Sequence, residues 1–178
     1  PLRMTGRQLT GERLALSSNR LRGAVGLAVD LRTGGYVVVA DAGMRNYPVP
    51  GFGLVDVRSR LRAVPGANRR GTLVTGAAQA QVRRFDNVFL EWVAGGLPRI
   101  ETALTRTPDG LVRFENLRIA APELTLAAHG VRRRDDTYTF EGAGRHADFG
   151  PLRLELEGRL ERPRLALRFE RPVDSLGL

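Results

Sequence analysis

The chain contains no cysteine and only two histidines, which narrows the chemistry available to it. Without cysteine, neither a disulfide nor a thiolate nucleophile can form. The histidines are His129, at the end of an apolar run, and His146, in a glycine- and arginine-rich turn, and we expect both to be exposed. We therefore expect no metal site and no cofactor. No stretch approaches the roughly 18 consecutive apolar residues that a membrane-spanning helix requires.

Lysine is absent too, so the 28 basic residues are all arginine, and the formal net charge is +9. The arginines are spread along the chain. Their densest cluster, 132–134, is followed directly by Asp135 and Asp136, which is typical of a solvated turn. A lysine point charge suits phosphate contacts well, and its absence does not favour nucleic acid as a partner. An attraction to anionic lipid stays open.

Apolar and polar residues alternate along most of the chain, which is the period of a β-strand with one buried face. In the segment 21–32, leucine, valine and glycine occupy the odd positions, whereas arginine, aspartate and small residues occupy the even ones. Turn residues separate the alternating segments, as at 33–35 and 107–110. The pattern predicts an all-β, mostly antiparallel fold of ten to twelve strands. We interpret residues 1–178 as a single β-rich segment cut from a longer protein.

One segment departs from this alternation and has helical spacing. Its large apolar residues fall at i, i+3, i+4, i+7 and i+8, which predicts one short amphipathic helix near 85–95. These residues are Phe85, Val88, Phe89, Trp92 and Val93. Asp86 could cap the start of this helix, and Gly95 with Gly96 would end it. The helix would divide the chain into sub-blocks 1–82 and 97–178, and it either covers an end of the sheet or acts as a plug or gate in a groove.

The carboxylates and serines form no arrangement typical of an enzyme. The chain has no Gly-x-Ser-x-Gly nucleophile motif. The pair Asp135 and Asp136 lies in an arginine-rich turn, and Glu155 and Glu157 alternate with leucines on the outer side of a predicted strand. Neither pair requires an acid or base role. We therefore predict that the protein is not an enzyme and has no catalytic residues.

The region 111–178 repeats one form: short apolar strands, a gap, a glycine-bounded strand and a strand reset by proline. Its motifs read FENLRI, APELTL, FEGAG, FGPL and ERPRL, at 114–119, 121–126, 140–144, 149–152 and 161–165. With the segments 49–57 and 83–98, it resembles the repetitive β region of the TamB family, the translocation and assembly module proteins related to AsmA.

The resemblance implies a fold and a function. Such proteins are anchored in the inner membrane and cross the periplasm, and their strands form an elongated, curled sheet with an apolar trough. They are linked to moving phospholipid toward the outer membrane and to the assembly of outer-membrane β-barrel proteins. We therefore expect phospholipid as a partner, and a β-barrel assembly protein as a second. The residues that we expect to line the lipid groove are Leu152, Leu154, Leu156, Leu165, Leu167 and Phe169.

Two other interpretations of the same pattern remain open. The sheet could be a chaperone-like surface that binds client strands of outer-membrane β-barrels at an exposed edge. It could also be a closed structural spacer, in which the groove leucines pack against a second sheet or the helix as an ordinary core.

Overall fold

A computed structural model describes residues 2–159 and 162–170 as one twelve-stranded antiparallel sheet with a short α-helix. Each strand pairs with its neighbours in sequence, and the sheet is not closed into a barrel. This confirms the prediction of an all-β, curled sheet with one helix. The strands are β1 Leu2–Thr5, β2 Gln8–Ser17, β3 Leu21–Asp30, β4 Gly35–Val49, β5 Gly53–Pro65, β6 Thr72–Phe85, β7 Arg99–Arg106, β8 Val112–Ala120, β9 Leu124–Arg132, β10 Tyr138–His146, β11 Gly150–Arg159 and β12 Arg162–Phe169.

The helix α1, Val88–Ala94, lies in the connection between β6 and β7. These two strands pair directly, so the sheet runs without a break from one predicted sub-block into the other. The helix is shorter than predicted, because Phe85 completes β6 instead of starting the helix. Asn87, not Asp86, caps it: the Asn87 side-chain oxygen accepts hydrogen bonds from the amides of Phe89, at 2.9 Å, and Leu90, at 3.4 Å.

Strand register gives the sheet two chemically different faces. Residues directly opposite each other in neighbouring strands point to the same side. We call the inner face the side that carries Leu152, Leu154 and Leu156 of β11, together with every residue in register with them. The outer face is the opposite side, and it carries Arg153 and Glu155 on the same strand.

Glycines on the two faces show which way the sheet bends. On the inner face, a Cβ atom added at Gly144 would lie 2.0 Å from the Thr125 carbonyl oxygen of the neighbouring strand, and one added at Gly76 would lie 2.1 Å from a carbonyl oxygen. On the outer face, a Cβ atom added at Gly26 or Gly43 would meet nothing closer than 3.7 Å. Neighbouring backbones therefore crowd together on the inner side, and we infer that the sheet curls toward its inner face.

A single curled layer exposes more surface than a compact domain does. The accessible surface of the chain is 12368 Å², whereas a compact protein of 19.5 kDa exposes about 8,500 Å² by the usual scaling with mass. Within the described residues, no second sheet covers the inner face.

The curl brings the backbone of the neighbouring strand close to the inner-face glycines, and a matched pair of substitutions tests this. We expect Gly144→Ala to lower the free energy of unfolding by about 1–3 kcal/mol, because the new methyl group collides with the β9 backbone. We expect Gly43→Ala, on the outer face, to be neutral or to raise it by up to about 1 kcal/mol, since alanine loses less chain entropy on folding. Urea unfolding followed by circular dichroism measures both. Equal effects would contradict the inferred direction of curvature.

Candidate functional site

The inner face is a broad apolar surface that spans all twelve strands. Among the register-paired positions of the described strands, it carries neither aspartate nor glutamate. Its polar uncharged residues other than tyrosine are Ser59, Thr72 and Thr102. The residues that can carry a charge are His146, Arg106 and Arg132. The rest is leucine, valine, isoleucine, methionine, alanine, glycine, proline and aromatic residues, which suits this surface to apolar ligands.

The six predicted groove residues form three rungs at the β11–β12 end of this surface. Leu152 lies opposite Phe169, Leu154 opposite Leu167, and Leu156 opposite Leu165. The rungs differ in burial. Leu152 is 2% exposed, and Leu165, on the third rung, is 39% exposed. The surface is therefore packed at one end of these strands and accessible toward the other.

The packed end contains the hydrophobic core. Leu126, Ala128 and Leu152 are buried together, and they come from β9 and β11. The strand between them, β10, carries Gly142 and Gly144 at the matching inner-face positions. Because these glycines have no side chain, the leucines of β9 and β11 meet above β10. The two glycines belong to the FEGAG motif at 140–144, and their spacing of two residues places both on one face of the strand.

The helix α1 packs across the same end of the sheet. Val93 and Ala94 are each 3% exposed, and the Ala94 carbonyl accepts a hydrogen bond of 3.1 Å from the amide of Glu123, in the β8–β9 turn. The Trp92 ring lies 5.5 Å from the ring of Phe149, in the β10–β11 turn. The helix therefore contacts the β8–β9 and β10–β11 turns in addition to the connection in which it lies.

The predicted apolar stripe of the helix is divided between interior and solvent. Of its members in α1, Val93 faces the protein, whereas Val88 is 80% exposed, Phe89 49% and Trp92 57%. Phe85 lies outside the helix and contacts Phe52 edge to face, with a centroid separation of 5.3 Å. The helix is therefore a cover over the inner face at one end of the strands, which we call the helix end.

The prediction that His146 is exposed is wrong, whereas His129 is exposed as expected. His146 is 2% exposed because it follows Gly142 and Gly144 on the inner face. The centroids of the Phe149 and Phe169 rings lie 4.7 and 6.2 Å from the centroid of its imidazole ring. Its Nδ1 accepts hydrogen bonds from the amides of Asp148 and Phe149. The side chain therefore holds the β10–β11 turn at the helix end.

The outer face offers depressions of a different kind. One of them, between β3 and β6, has a volume of about 760 Å³ and is lined by arginines around a floor of alanine and glycine. Arg60 in its wall donates to Asp41 at 2.7 Å, and both side chains are more than half exposed. Such an exposed ion pair is screened by water, so this depression is a gap between long side chains and not a preorganised site.

Comparisons with known proteins do not assign the chain to a family. No family model, no curated protein and no solved structure matches it. Within the described residues, no helix has the length and apolar character that crossing a bilayer requires. The resemblance to the TamB family therefore stays a prediction.

The packing of α1 can be tested by two valine substitutions in the same helix. We expect Val93→Ala to lower the free energy of unfolding by about 1.5–2.5 kcal/mol, because it removes buried methyl groups and leaves a cavity. We expect Val88→Ala to change it by less than about 0.5 kcal/mol, since that side chain is exposed. Thermal unfolding of both variants gives the comparison. A neutral Val93→Ala would mean that the helix does not pack on the trough.

Proposed function

We propose that this protein is a non-enzymatic β-trough that shields phospholipid acyl chains as they pass between two membranes. The observation that carries the proposal is the inner face itself: within the described residues, its paired positions over twelve strands hold no acidic residue, and no second layer covers it. A soluble domain would ordinarily bury such a surface. An apolar ligand of variable length is the occupant that suits it best.

The size of the surface suits an acyl chain. With neighbouring strands about 4.8 Å apart, twelve strands give a lane on the order of 50 Å long. The acyl chains of one leaflet fill about half of a hydrocarbon core that is about 30 Å thick. Each methylene removed from water stabilises the complex by about 0.8 kcal/mol. A chain can therefore be held anywhere along the lane without a specific polar contact, which transport requires.

The cellular setting belongs to the same proposal and derives from the resemblance to the TamB family. We place the trough in the periplasm, as part of an inner-membrane-anchored protein that carries phospholipid toward the outer membrane and supports outer-membrane biogenesis. The polar outer face agrees with an aqueous compartment, since Arg153, Glu155 and Arg168 all project from it into solvent.

A second candidate function has its own observation. The strands β1 and β12 lie at the two ends of the sheet, and each pairs on one side only within the described residues. Such an edge can accept an extended strand from another protein through backbone hydrogen bonds. A client strand of an outer-membrane β-barrel would add to β12 and continue the inner face, with a β-barrel assembly protein as the functional partner.

Lipid binding is tested by placing charge on the third rung, which lies outside the packed core. We expect the parent protein to bind phospholipid, detected by native mass spectrometry, and Leu156→Glu with Leu165→Glu to weaken binding at least tenfold. The reason is that a carboxylate in an apolar lane must be desolvated when the acyl chain arrives. Circular dichroism establishes that the variant stays folded.

The matched control adds the same charge to the other face. Ala143→Glu with Ala166→Glu lies on the outer side of β10 and β12, and we expect it to bind phospholipid like the parent. A folded parent that refuses added phospholipid would remove the lipid function. Binding of an unfolded β-barrel peptide by that same protein would instead support the client-strand function.

A further inference from the structure

Among the described residues, the inner face carries two arginines, and both lie at the end of the strands opposite the helix. Arg106 is the last residue of β7, and Arg132 is the last residue of β9. Val112, the first residue of β8, pairs with both of them. Arg106, Val112 and Arg132 therefore form one row across three strands, with all three side chains on the inner face.

The spacing of this row allows both guanidinium groups to reach one anion. Two strand spacings place the Cα atoms of Arg106 and Arg132 about 10 Å apart. The concave side of a curled sheet brings their long side chains closer together. Arg132 forms an ion pair with Asp136, whereas Arg106 is exposed and has no ion-pair partner among the described residues. Tyr138 follows Arg132 in the same row, and its ring is suited to the boundary between an apolar lane and water.

The turns beside this row carry both signs of charge, since Arg133 and Arg134 lie close in sequence to Asp135 and Asp136, and Asp109 lies in the β7–β8 turn. Arg133 and Arg134 follow in the β9–β10 turn, and the Arg134 Nε donates to the carbonyl oxygen of Asp109, which joins that turn to the β7–β8 turn. The Asp109 carboxylate is held ionised, because a hydrogen bond from the Thr107 hydroxyl lowers its pKa. The acidic groups of these turns are thus engaged locally.

The two ends of these strands therefore differ in the residues that they place on the inner face. At the helix end, Leu126, Leu152 and His146 are buried, and the aromatic contact between Trp92 and Phe149 covers them. At the opposite end of the strands, β7 and β9 place Arg106 and Arg132 on the inner face. Across the width of the trough, the inner face is thus covered at one end of the strands and carries arginines at the other, which matches a molecule with an apolar tail and an anionic head.

We propose that Arg106 and Arg132 bind the phosphate of an anionic amphiphile whose acyl chain lies along the inner face. The inference rests on the proposed lipid function and adds to it both a headgroup site and a fixed orientation. The guanidinium groups donate charge-assisted hydrogen bonds to the phosphate oxygens, and the tail extends toward the helix end. A neutral amphiphile of the same chain length would bind the apolar inner face without the hydrogen bonds to the two arginines.

The test compares two single-chain lipids with the same acyl group, lysophosphatidylglycerol and monoacylglycerol, each below its micelle concentration. We expect the parent to bind the phosphate-bearing lipid about tenfold or more tightly than the neutral one, as one good charge-assisted contact accounts for about a factor of ten. Arg106→Gln with Arg132→Gln should abolish this preference and leave the affinity for monoacylglycerol within about twofold of the parent.

The control removes two arginines from the outer face, Arg113→Gln with Arg164→Gln, and so makes the same change in net charge. It should keep the parent's preference. Arg106→Gln alone breaks no ion pair and should reduce the preference several-fold, so the test stands even if the double variant fails to fold.

The outcomes separate this inference from the function on which it rests. Equal binding of both lipids by the parent, or an unchanged preference in folded Arg106→Gln, would overturn the headgroup site and leave the lipid function standing. Failure to bind either lipid would overturn both. Binding of glycerol phosphate as tightly as lysophosphatidylglycerol would show a simple phosphate site and overturn the role of the tail.

Discussion

The unpartnered apolar face is the constraint on which the rest of this structure depends. Most strands alternate apolar and polar residues, and the register keeps most of the large apolar side chains on one side. Exposing that side in full would cost about 25 cal/mol for each Å² of apolar surface left in water. Curling reduces this cost because inner side chains shield one another. The half-buried state of Leu154 and Leu167, with no second sheet above them in the described residues, is the result.

The curl is produced differently in the two halves of the sheet. Register shifts occur at five places between β2 and β9, and three left-handed residues lie at four of them: Arg13 and Asn46 at one shift each, and Asn116 at two. Such bulges increase local twist and bend the strand. Between β9 and β12 the register has no shift, and Gly142 and Gly144 allow the backbones to approach on the inner side. The strands that carry the predicted groove are therefore also the most regular.

Period-two alternation was sufficient to predict the fold class, a strand number of ten to twelve and a common face for the six predicted groove residues, because it reports directly on which side a residue occupies. It could not place the helix boundary, since Phe85 satisfies both a helical and a strand pattern and only the local cap at Asn87 decides. It also misplaced His146, whose position beyond Gly144 continues the strand although its neighbours look like a turn. The row formed by Arg106, Val112 and Arg132 could not be predicted, because it depends on strand register, which the alternation does not determine.

The inner face is closely packed at one end of the strands and accessible to ligands at the other. At the helix end, the buried leucines of β9 and β11, the helix and the aromatic side chains supply the close packing that a single sheet otherwise lacks. That packing allows the inner face toward the other end to stay accessible, as the 39% exposure of Leu165 shows. If the whole lane were packed, the sheet would be stable and closed to ligands, and if none of it were, the curl would have nothing to hold it. The proposed trough for a mobile apolar ligand needs both a packed end and an accessible end. The short helix α1 packs against one end of the strands and leaves the other end accessible.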